Sequence, residues 1–319
     1  MANLTHNHTT VFYTKFVLFG FPGVKCRNLL LIPFTFIFAA ILTGNVLLIY
    51  LIFNEPSLQS PMYFLMSLLF TVSISSSTSV FPKLLLGLAF GMNEISLVGC
   101  LIQMFSIYFL GIVESGILMM MALDRFIAVC RPLRYNNIMT KRLLVQLILV
   151  AVARSLLLIV PTVTLTSRVH FCRSNIILNF VCENMGLLSL ACEDISKVQI
   201  VGLMVKTFIT VVDVGILFLS YSSILYTAMK IVTGRSRQKA LSTCVTHVVV
   251  ATFIYICGFL ASLVYRIRTH ISYDVKNVFN AIYLMVPATL NPIFYGVGVN
   301  EIRKCLVKHW KNRNKNLSS

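Results

Sequence analysis

The sequence predicts an all-α membrane protein, a seven-transmembrane helix bundle with a short amphipathic eighth helix. Of its 319 residues, 57% are hydrophobic and only 12% are charged, a balance far from that of a soluble domain. The apolar residues also form seven runs, each long enough to cross a hydrocarbon core, which takes about 20 helical residues. We place these spans at about 29–53, 61–89, 97–127, 143–165, 197–229, 240–266 and 275–297.

Basic residues set the orientation of the bundle. Lys and Arg concentrate in segments 125–142, 230–239 and 303–315, which the positive-inside rule assigns to the cytosol. An odd number of spans then puts the N-terminus outside, where Asn3 and Asn7 begin N-glycosylation sequons. The charge of +17 therefore indicates topology, contact with anionic membrane lipids and a cytosolic partner, and not a nucleic-acid ligand.

This topology divides the chain into three parts. Residues 1–28 form an extracellular N-terminus, residues 29–297 the seven-span domain, and residues 298–319 a cytosolic amphipathic helix with a basic tail. The amphipathic stretch, about 299–311, places apolar residues on a lipid-facing side and Lys and Arg on the other.

Three prolines predict local features of the helices. Pro61 suits the first position of the second helix, where a missing N–H costs nothing. Pro287 and Pro292 are expected to kink the seventh, because a proline inside a helix removes a backbone hydrogen bond.

The longest aqueous segment is the 166–196 loop between the fourth and fifth spans. It contains Cys172, Cys182 and Cys192, and Cys100 opens the third span at the same membrane face. Disulfides persist on the extracellular side, but four cysteines allow three pairings and the sequence alone does not choose between them. A Cys100–Cys182 bond would fold the loop over the bundle mouth as a lid.

The segment MALDRFIAVCRPLRY, residues 121–135, places Asp124 and Arg125 at the cytosolic end of the third span. An acid and a base at a membrane boundary suggest a local ion pair that can be broken, which is what a transmembrane switch requires. The alternative is a charge pair that only anchors the helix end. No HExxH motif, P-loop or nucleophile elbow occurs in the sequence, so we expect no enzymatic activity, metal site or cofactor.

Segment 121–135 resembles the DRY box of rhodopsin-like G-protein-coupled receptors in its odorant-receptor variant. Other motifs similar to those of odorant receptors follow in the same order along nearly the whole chain. These are Gly44-Asn45, LQSPMYFLM (58–66), SYSSI (220–224), KALSTCVTH (239–247) and LNPIFY (290–295). Glu114-Ser115, Asp213 and VCEN (181–184) are similar to the class I, fish-like branch.

The resemblance implies a plasma-membrane receptor for small odorants that activates a heterotrimeric stimulatory G protein, raises cAMP and serves olfactory sensory neurons. It also implies the disulfides Cys100–Cys182 and Cys172–Cys192. Two rival classes are a rhodopsin-like receptor for another ligand, which would lack the 58–66 and 239–247 motifs, and a secondary transporter.

The resemblance further assigns residues to a G-protein switch. Besides Asp124 and Arg125, these are Tyr221, Lys239, Thr243, His247, Asn291 and Tyr295. The chain departs from the family at Ser73, where an Asp is usual, and this leaves open whether sodium binds near Glu114.

Glu114 and Asn45 form a predicted polar core. Glu114 lies eleven residues before Arg125, about 16 Å along the helix and on nearly the same face. A charge at that depth is costly, so Asn45, Ser73 and Asn291 are its expected neighbours. A polar relay from ligand to switch and a protonated, hydrogen-bonded core acid are equally compatible with the sequence.

Arg266 is the candidate anchor for an anionic ligand. Tyr255, Ser262 and Arg266 lie on one stripe of the sixth span, since offsets of seven and eleven residues return to nearly the same direction. The planar fork of an arginine suits a carboxylate. The resemblance to class I receptors also implies a basic residue at this position that binds acids. The alternative is an arginine that only reaches the membrane interface.

Two further cations lie within spans. Lys206 is predicted to be a second cationic contact in the pocket, or to pair with Glu183 or Glu193 of the loop, because Asp213 lies about 10 Å away along the helix axis. For Arg154, a packed polar role and a position at the lipid edge are both open.

An apolar pocket wall with few polar groups is expected around the ligand. The third span contributes an inward stripe of Met104, Tyr108, Gly111 and Ile112, and Gly202 on the fifth leaves space for a ligand. The alternative for each is ordinary helix packing. Because Arg266 and Lys206 are predicted to line this pocket, the ligand is predicted to be small and anionic, such as a carboxylic or amino acid.

Overall fold

A computed structural model describes residues 12–230, 234–266 and 271–317. Seven long helices follow in chain order, and each contains a stretch long and apolar enough to cross a membrane. They are α1 (Leu31–Asn54), α2 (Pro61–Phe90), α3 (Leu97–Cys130), α4 (Lys141–Ser167), α5 (Ser196–Lys230), α6 (Gly234–Arg266) and α7 (Tyr273–Gly298). An eighth, α8 (Asn300–Leu317), follows directly. The predicted fold class is therefore confirmed.

The helices differ from the predicted spans mainly at the ends next to the basic segments. α5 continues to Lys230 and α6 starts at Gly234, so both enter the 230–239 segment that the sequence indicates as a connection. α8 likewise reaches Leu317 instead of ending near residue 311. Apolar runs mark where a helix crosses lipid, whereas Lys, Arg and Gln continue a helix into water because they are good helix formers.

Side-chain caps fix where two of the spanning helices, α3 and α4, begin. Ser96 accepts a hydrogen bond from Gly99 N at 3.1 Å, and Thr140 accepts one from Leu143 N at 3.2 Å. Such caps satisfy backbone donors that the first helical turn leaves without partners. Pro61 opens α2 as predicted.

Pro287 and Pro292 both lie inside α7, which runs without interruption from Tyr273 to Gly298. Neighbouring helices can compensate for the backbone groups that a proline frees within a membrane span.

A small sheet joins the N-terminal segment to two connections of the bundle. Its central strand β1 (Lys15–Leu18) pairs antiparallel with β2 (Glu94–Ser96) and parallel with β3 (Ile176–Ile177). The sequence does not predict these strands, because runs of two to four residues are too short to show a strand period. Residues 15–18 are thus part of the cover over the bundle.

Two disulfides hold the 168–195 loop in place over the bundle. Cys100–Cys182 ties the loop to the start of α3, and Cys172–Cys192 closes the loop on itself. Both pairings implied by the family resemblance are present.

Candidate functional site

A cavity of about 170 Å³ lies under the loop, between α3, α4, α5, α6 and α7. Seven of the predicted wall residues line it: Tyr108, Gly111, Ile112, Gly202, Lys206, Tyr255 and Ser262. Met104 does not. It is fully buried one turn higher, in a hydrophobic cluster with the disulfide-linked Cys100 and Cys182, because the loop packs onto that part of α3. The side chain of Arg266 lies outside the described residues.

The cavity also has walls that the sequence patterns did not predict. α7 contributes Asn280, Tyr283 and Leu284, α4 contributes Ile159 and Thr162, and the loop contributes residues 181–185. The loop residues had one available signal, since a Cys100–Cys182 bond places them over the bundle mouth. The inward face of α7 also had a signal, because Asn277, Asn280 and Asn291 recur on one face of an otherwise largely apolar span.

Three glycines shape the cavity. A Cβ at Gly258 would lie 3.0 Å from Cε2 of Tyr283, and one at Gly111 would lie 3.5 Å from its hydroxyl oxygen. These glycines therefore let the tyrosine ring cross between α3 and α6. A Cβ at Gly202 would meet no atom within 4 Å, so this position is open. A cavity of about 150 Å³ holds benzene in another protein, and the expected ligand is of similar size.

Lys206 supplies a positive charge at the cavity wall. Its Nζ donates to the carbonyl oxygen of Gly258 at 2.7 Å and lies 5.3 Å from the centre of the Tyr283 ring. Both contacts hold the ammonium between α5, α6 and α7, since a cation is attracted to the face of an aromatic ring. Of the loop acids proposed as partners, Glu193 accepts a hydrogen bond from the backbone N–H of His170 at 2.9 Å.

Glu183 fastens the loop, which forms the roof of the cavity, to α3. One carboxylate oxygen accepts from the hydroxyl of Tyr108 at 3.1 Å and the other from Gly186 N at 3.0 Å. The same hydroxyl oxygen accepts from Asn184 N at 3.1 Å. A residue of α3 that lines the cavity is thereby bound directly to the loop that covers it.

A buried polar cluster forms the cavity floor and explains Arg154. The Arg154 guanidinium donates to both oxygens of Asp213, at 2.6 and 3.1 Å. Asp213 is fully buried and also accepts from the hydroxyls of Ser115 and Tyr255. Because Ser115 and Tyr255 line the cavity as well, this cluster connects the ligand space to α3, α4, α5 and α6 at once.

A second polar contact lies deeper in the bundle. The side-chain amide of Asn291 donates to the hydroxyl of Ser73 at 3.1 Å and to a carboxylate oxygen of Glu114 at 3.4 Å. Asn45 differs from the prediction, because its amide donates to the backbone oxygens of Ile41 and Ala288 at 2.8 and 3.1 Å. It therefore fastens α1 to α7.

The predicted ion pair is present near the C-terminal end of α3. Nε and one terminal nitrogen of Arg125 donate to one oxygen of Asp124 at 3.0 and 2.6 Å. The hydroxyl of Tyr135, in the short helix Tyr135–Ile138, donates to the other oxygen at 2.7 Å. Burial, and then the contact with Asp124, raise the pKa of Tyr135, so the phenol remains a donor at physiological pH.

His247 and Tyr295 meet between α6 and α7 near the same end. Their ring centroids are 5.4 Å apart and both side chains are buried. Neither ring nitrogen of His247 forms a hydrogen bond with any of the described residues, and neither does the hydroxyl of Tyr295. Buried polar atoms without partners are costly.

Other predicted residues have less defined positions. Tyr221 is half-buried and packs against the hydrophobic core of the bundle. Lys239 and Thr243 are helical, but their side chains lie outside the described residues, as do Asn3 and Asn7 entirely.

Comparison with known proteins places this geometry in a family context. A family model described as olfactory receptor matches residues 34–313. Human Olfactory receptor 52K1 is 34% identical over 314 residues, covering 98% of this chain and 99% of that protein. Human Olfactory receptor 52N5 is 37% identical over 300 residues, covering 93% of each. The crystal structure of squid rhodopsin matches with a TM-score of 0.72 at 14% identity, over 89% of this chain and 85% of that one, which shows a shared fold.

Proposed function

Because the chain belongs to the olfactory receptor family, whose members are multi-pass membrane receptors and not enzymes, we propose that it binds a small carboxylate-bearing ligand and activates a stimulatory olfactory-type G protein to raise cAMP. Family membership carries the coarse statement, a small-molecule ligand and a G-protein partner. The ligand class and the type of G protein are the proposal.

The observation that carries the ligand class is the Lys206 ammonium in the wall of a mostly apolar cavity. The ammonium is held there by the Gly258 carbonyl and the Tyr283 ring, and its positive charge attracts an anion more strongly than it would in water. A carboxylate can approach the ammonium and gain a charge-assisted hydrogen bond, while its hydrocarbon part lies against Ile112 and Ile209. The cavity volume of about 170 Å³ favours a short chain or a single ring.

The first experiment replaces Lys206 by Met, which keeps the length of the side chain and removes its charge. We expect the potency of carboxylic acids to fall about 10- to 100-fold, the loss of one charge-assisted hydrogen bond, with little change for the matching alcohols and methyl esters. cAMP is measured over a matched panel in cells that express a stimulatory olfactory-type G protein.

Lys197→Met is the matched control, because Lys197 lies on the same helix but is exposed and outside the cavity lining. An equal loss for acids and esters in Lys206→Met would contradict the anion contact. The same panel tests Arg266→Ala, which we expect to weaken acids more than neutral analogues if this arginine is a second anchor.

Gly202 tests the position of the ligand. Replacing it by Leu fills open space in the cavity wall, so we expect the longest active acid in the series from propanoate to nonanoate to become shorter by about two to four carbons, the size of the added side chain. Concentration–response curves for each chain length measure this.

Gly215→Leu is the control for Gly202→Leu. It lies on the same helix, also meets no atom within 4 Å of a Cβ, and is not part of the cavity. Both changes improve helix propensity equally. A shortened series in Gly215→Leu, or an unchanged one in Gly202→Leu, would place the ligand elsewhere.

The polar contacts support a route from ligand to G protein. A ligand that contacts Tyr255 also acts on Ser115 and Asp213, which link α3, α5 and α6. A ligand shifts an equilibrium only by its difference in affinity for the two states. We propose that contacts favouring the active state move α6 relative to α3, which releases Arg125 from Asp124 to meet the G protein.

The proposal also includes the topology. The N-terminus lies outside with glycans at Asn3 and Asn7, residues 298–319 lie in the cytosol, and the basic segments contact anionic lipids. The receptor serves olfactory sensory neurons.

A further inference from the structure

A second cavity, of about 340 Å³, lies between the N-terminal segment and the extracellular end of α2. Its walls come from the N-terminal residues 18–28, from α2 and the turn after it, and from Phe180 of the loop. The cavity shares no lining residue with the one under the loop.

The walls of this cavity are positively charged. Arg27 and Lys83 both line it, and no Asp or Glu does so within the described parts of the chain. Residues 12–28 add Lys15 and Lys25 and contain no acid. A concave surface that contains only one sign of charge concentrates ions of the opposite sign.

The geometry of Arg27 suits a carboxylate. Its guanidinium carbon lies 3.8 Å from the centre of the Phe19 ring, so its planar face is occupied by the aromatic ring. The N–H groups of a guanidinium lie in its plane, and stacking leaves that edge able to form paired hydrogen bonds with two carboxylate oxygens. Lys83 has a structural role as well, because Nζ donates to the carbonyl oxygens of Met92 and Glu94 and holds the turn.

The remaining wall combines the apolar side chains of Phe21, Leu84, Leu88 and Phe180 with the polar residues Asn28 and Asn93. We propose that this cavity is a second, extracellular binding site for a small organic anion with a carboxylate head and an apolar body. The head pairs with Arg27 beside the charge of Lys83, and the body lies against the aromatic and aliphatic side chains.

The site is built on a fixed frame. Strand β1 pairs with the connection after α2 on one side, and Gly23 N donates to both oxygens of Asp274 at 3.1 Å on the other. Phe21 stacks on Phe180 with centroids 5.8 Å apart. A Cβ at Gly20 would lie 2.6 Å from Cβ of Phe180, so only glycine permits this close crossing.

Occupancy of the second site acts on the first through the loop. Phe180 lines the second cavity, while residues 181–185, directly after it, line the first. Phe180 N donates to the side chain of Asn277 at 3.1 Å, and Cys182 is fixed by its disulfide. Because Phe180 is joined directly to these fixed residues, an anion that displaces Phe180 also displaces the roof over the ligand.

Photolabelling locates the anion directly. The full chain is placed in neutral phosphatidylcholine nanodiscs and irradiated with 4,4-azipentanoate, a short carboxylate with a photoreactive diazirine, or with its neutral amide. We expect the acid, and not the amide, to label peptides from residues 18–28 and 84–93, with protection by excess pentanoate. Equal labelling of these peptides by the amide would overturn the proposal.

Variants show whether the charge of Arg27 is responsible. Arg27→Gln should reduce labelling of these peptides about tenfold, the effect of one lost charge-assisted hydrogen bond. Lys25→Gln, an exposed cation on the same segment that lines neither cavity, should leave it unchanged. An unchanged thermal unfolding midpoint in the absence of the acid shows that Arg27→Gln is folded. Full labelling of the second site in Arg27→Gln would refute the assignment.

Discussion

Replacing Asp213 by Ala is expected to destabilise the receptor by about 3–5 kcal/mol, the usual cost of breaking a buried ion pair by removing one partner. Arg154 donates to both carboxylate oxygens, and its side chain is only 22% exposed. Without Asp213, this guanidinium and the hydroxyls of Ser115 and Tyr255 lose their common acceptor in the middle of the bundle. The measurement is the thermal unfolding midpoint of the purified receptor together with its surface expression.

A double variant separates stability from coupling. Replacing both partners by apolar residues, Arg154→Met with Asp213→Leu, removes the uncompensated charge, so we expect most of the stability to return. We expect the ligand response to remain lost, because Tyr255 then has no acceptor that links it to α5. Glu94→Ala removes the side chain of an exposed acid and is the control. Equal instability of the single and double variants would mean that the charge pair is not the cause.

This cluster also shows what the sequence predicts and what it does not. Arg154 and Asp213 are each visible as charges within apolar spans, and such residues are expected to have partners. Their spacing along the chain does not reveal that they meet, because the contact joins α4 to α5 and depends on how two helices are rotated against each other. The position of Lys206 at the cavity wall was easier to predict, since it lies only about two turns into α5.

Predictions that rest on helix period succeed where one helix faces the cavity and fail where a loop intervenes. Tyr108, Gly111 and Ile112 line the cavity as the stripe on α3 predicts. Met104 belongs to the same stripe but lies under the loop. The position of that loop depends on a disulfide, and the spacing of the cysteines along the chain does not determine which two are paired. The N-terminal strand is similar, because Phe16 is buried only through contacts with distant segments such as Phe171.

Asn replacement of Asp124 is expected to raise basal cAMP several-fold. The carboxylate is fully buried and accepts two hydrogen bonds from Arg125 and one from Tyr135. Removing its charge weakens hydrogen bonds of the kind that contribute about 1.5–3 kcal/mol each. Even part of that free energy shifts a two-state equilibrium about tenfold toward the state in which Arg125 is released.

The rise requires Arg125 if the ion pair is a switch and not only an anchor of the helix end. Asp124→Asn combined with Arg125→Ala should therefore show no basal activity and no ligand response at equal surface expression. Tyr135→Phe removes one neutral donor and leaves the ion pair, so its basal activity should rise less than that of Asp124→Asn. If Asp124→Asn left basal cAMP unchanged while Arg125→Ala only reduced expression, the pair would be an interfacial anchor. Arg125 is already placed for release, because its side chain is 22% exposed while that of Asp124 is fully buried, so the base can leave toward the cytosol while the acid stays bound to Tyr135.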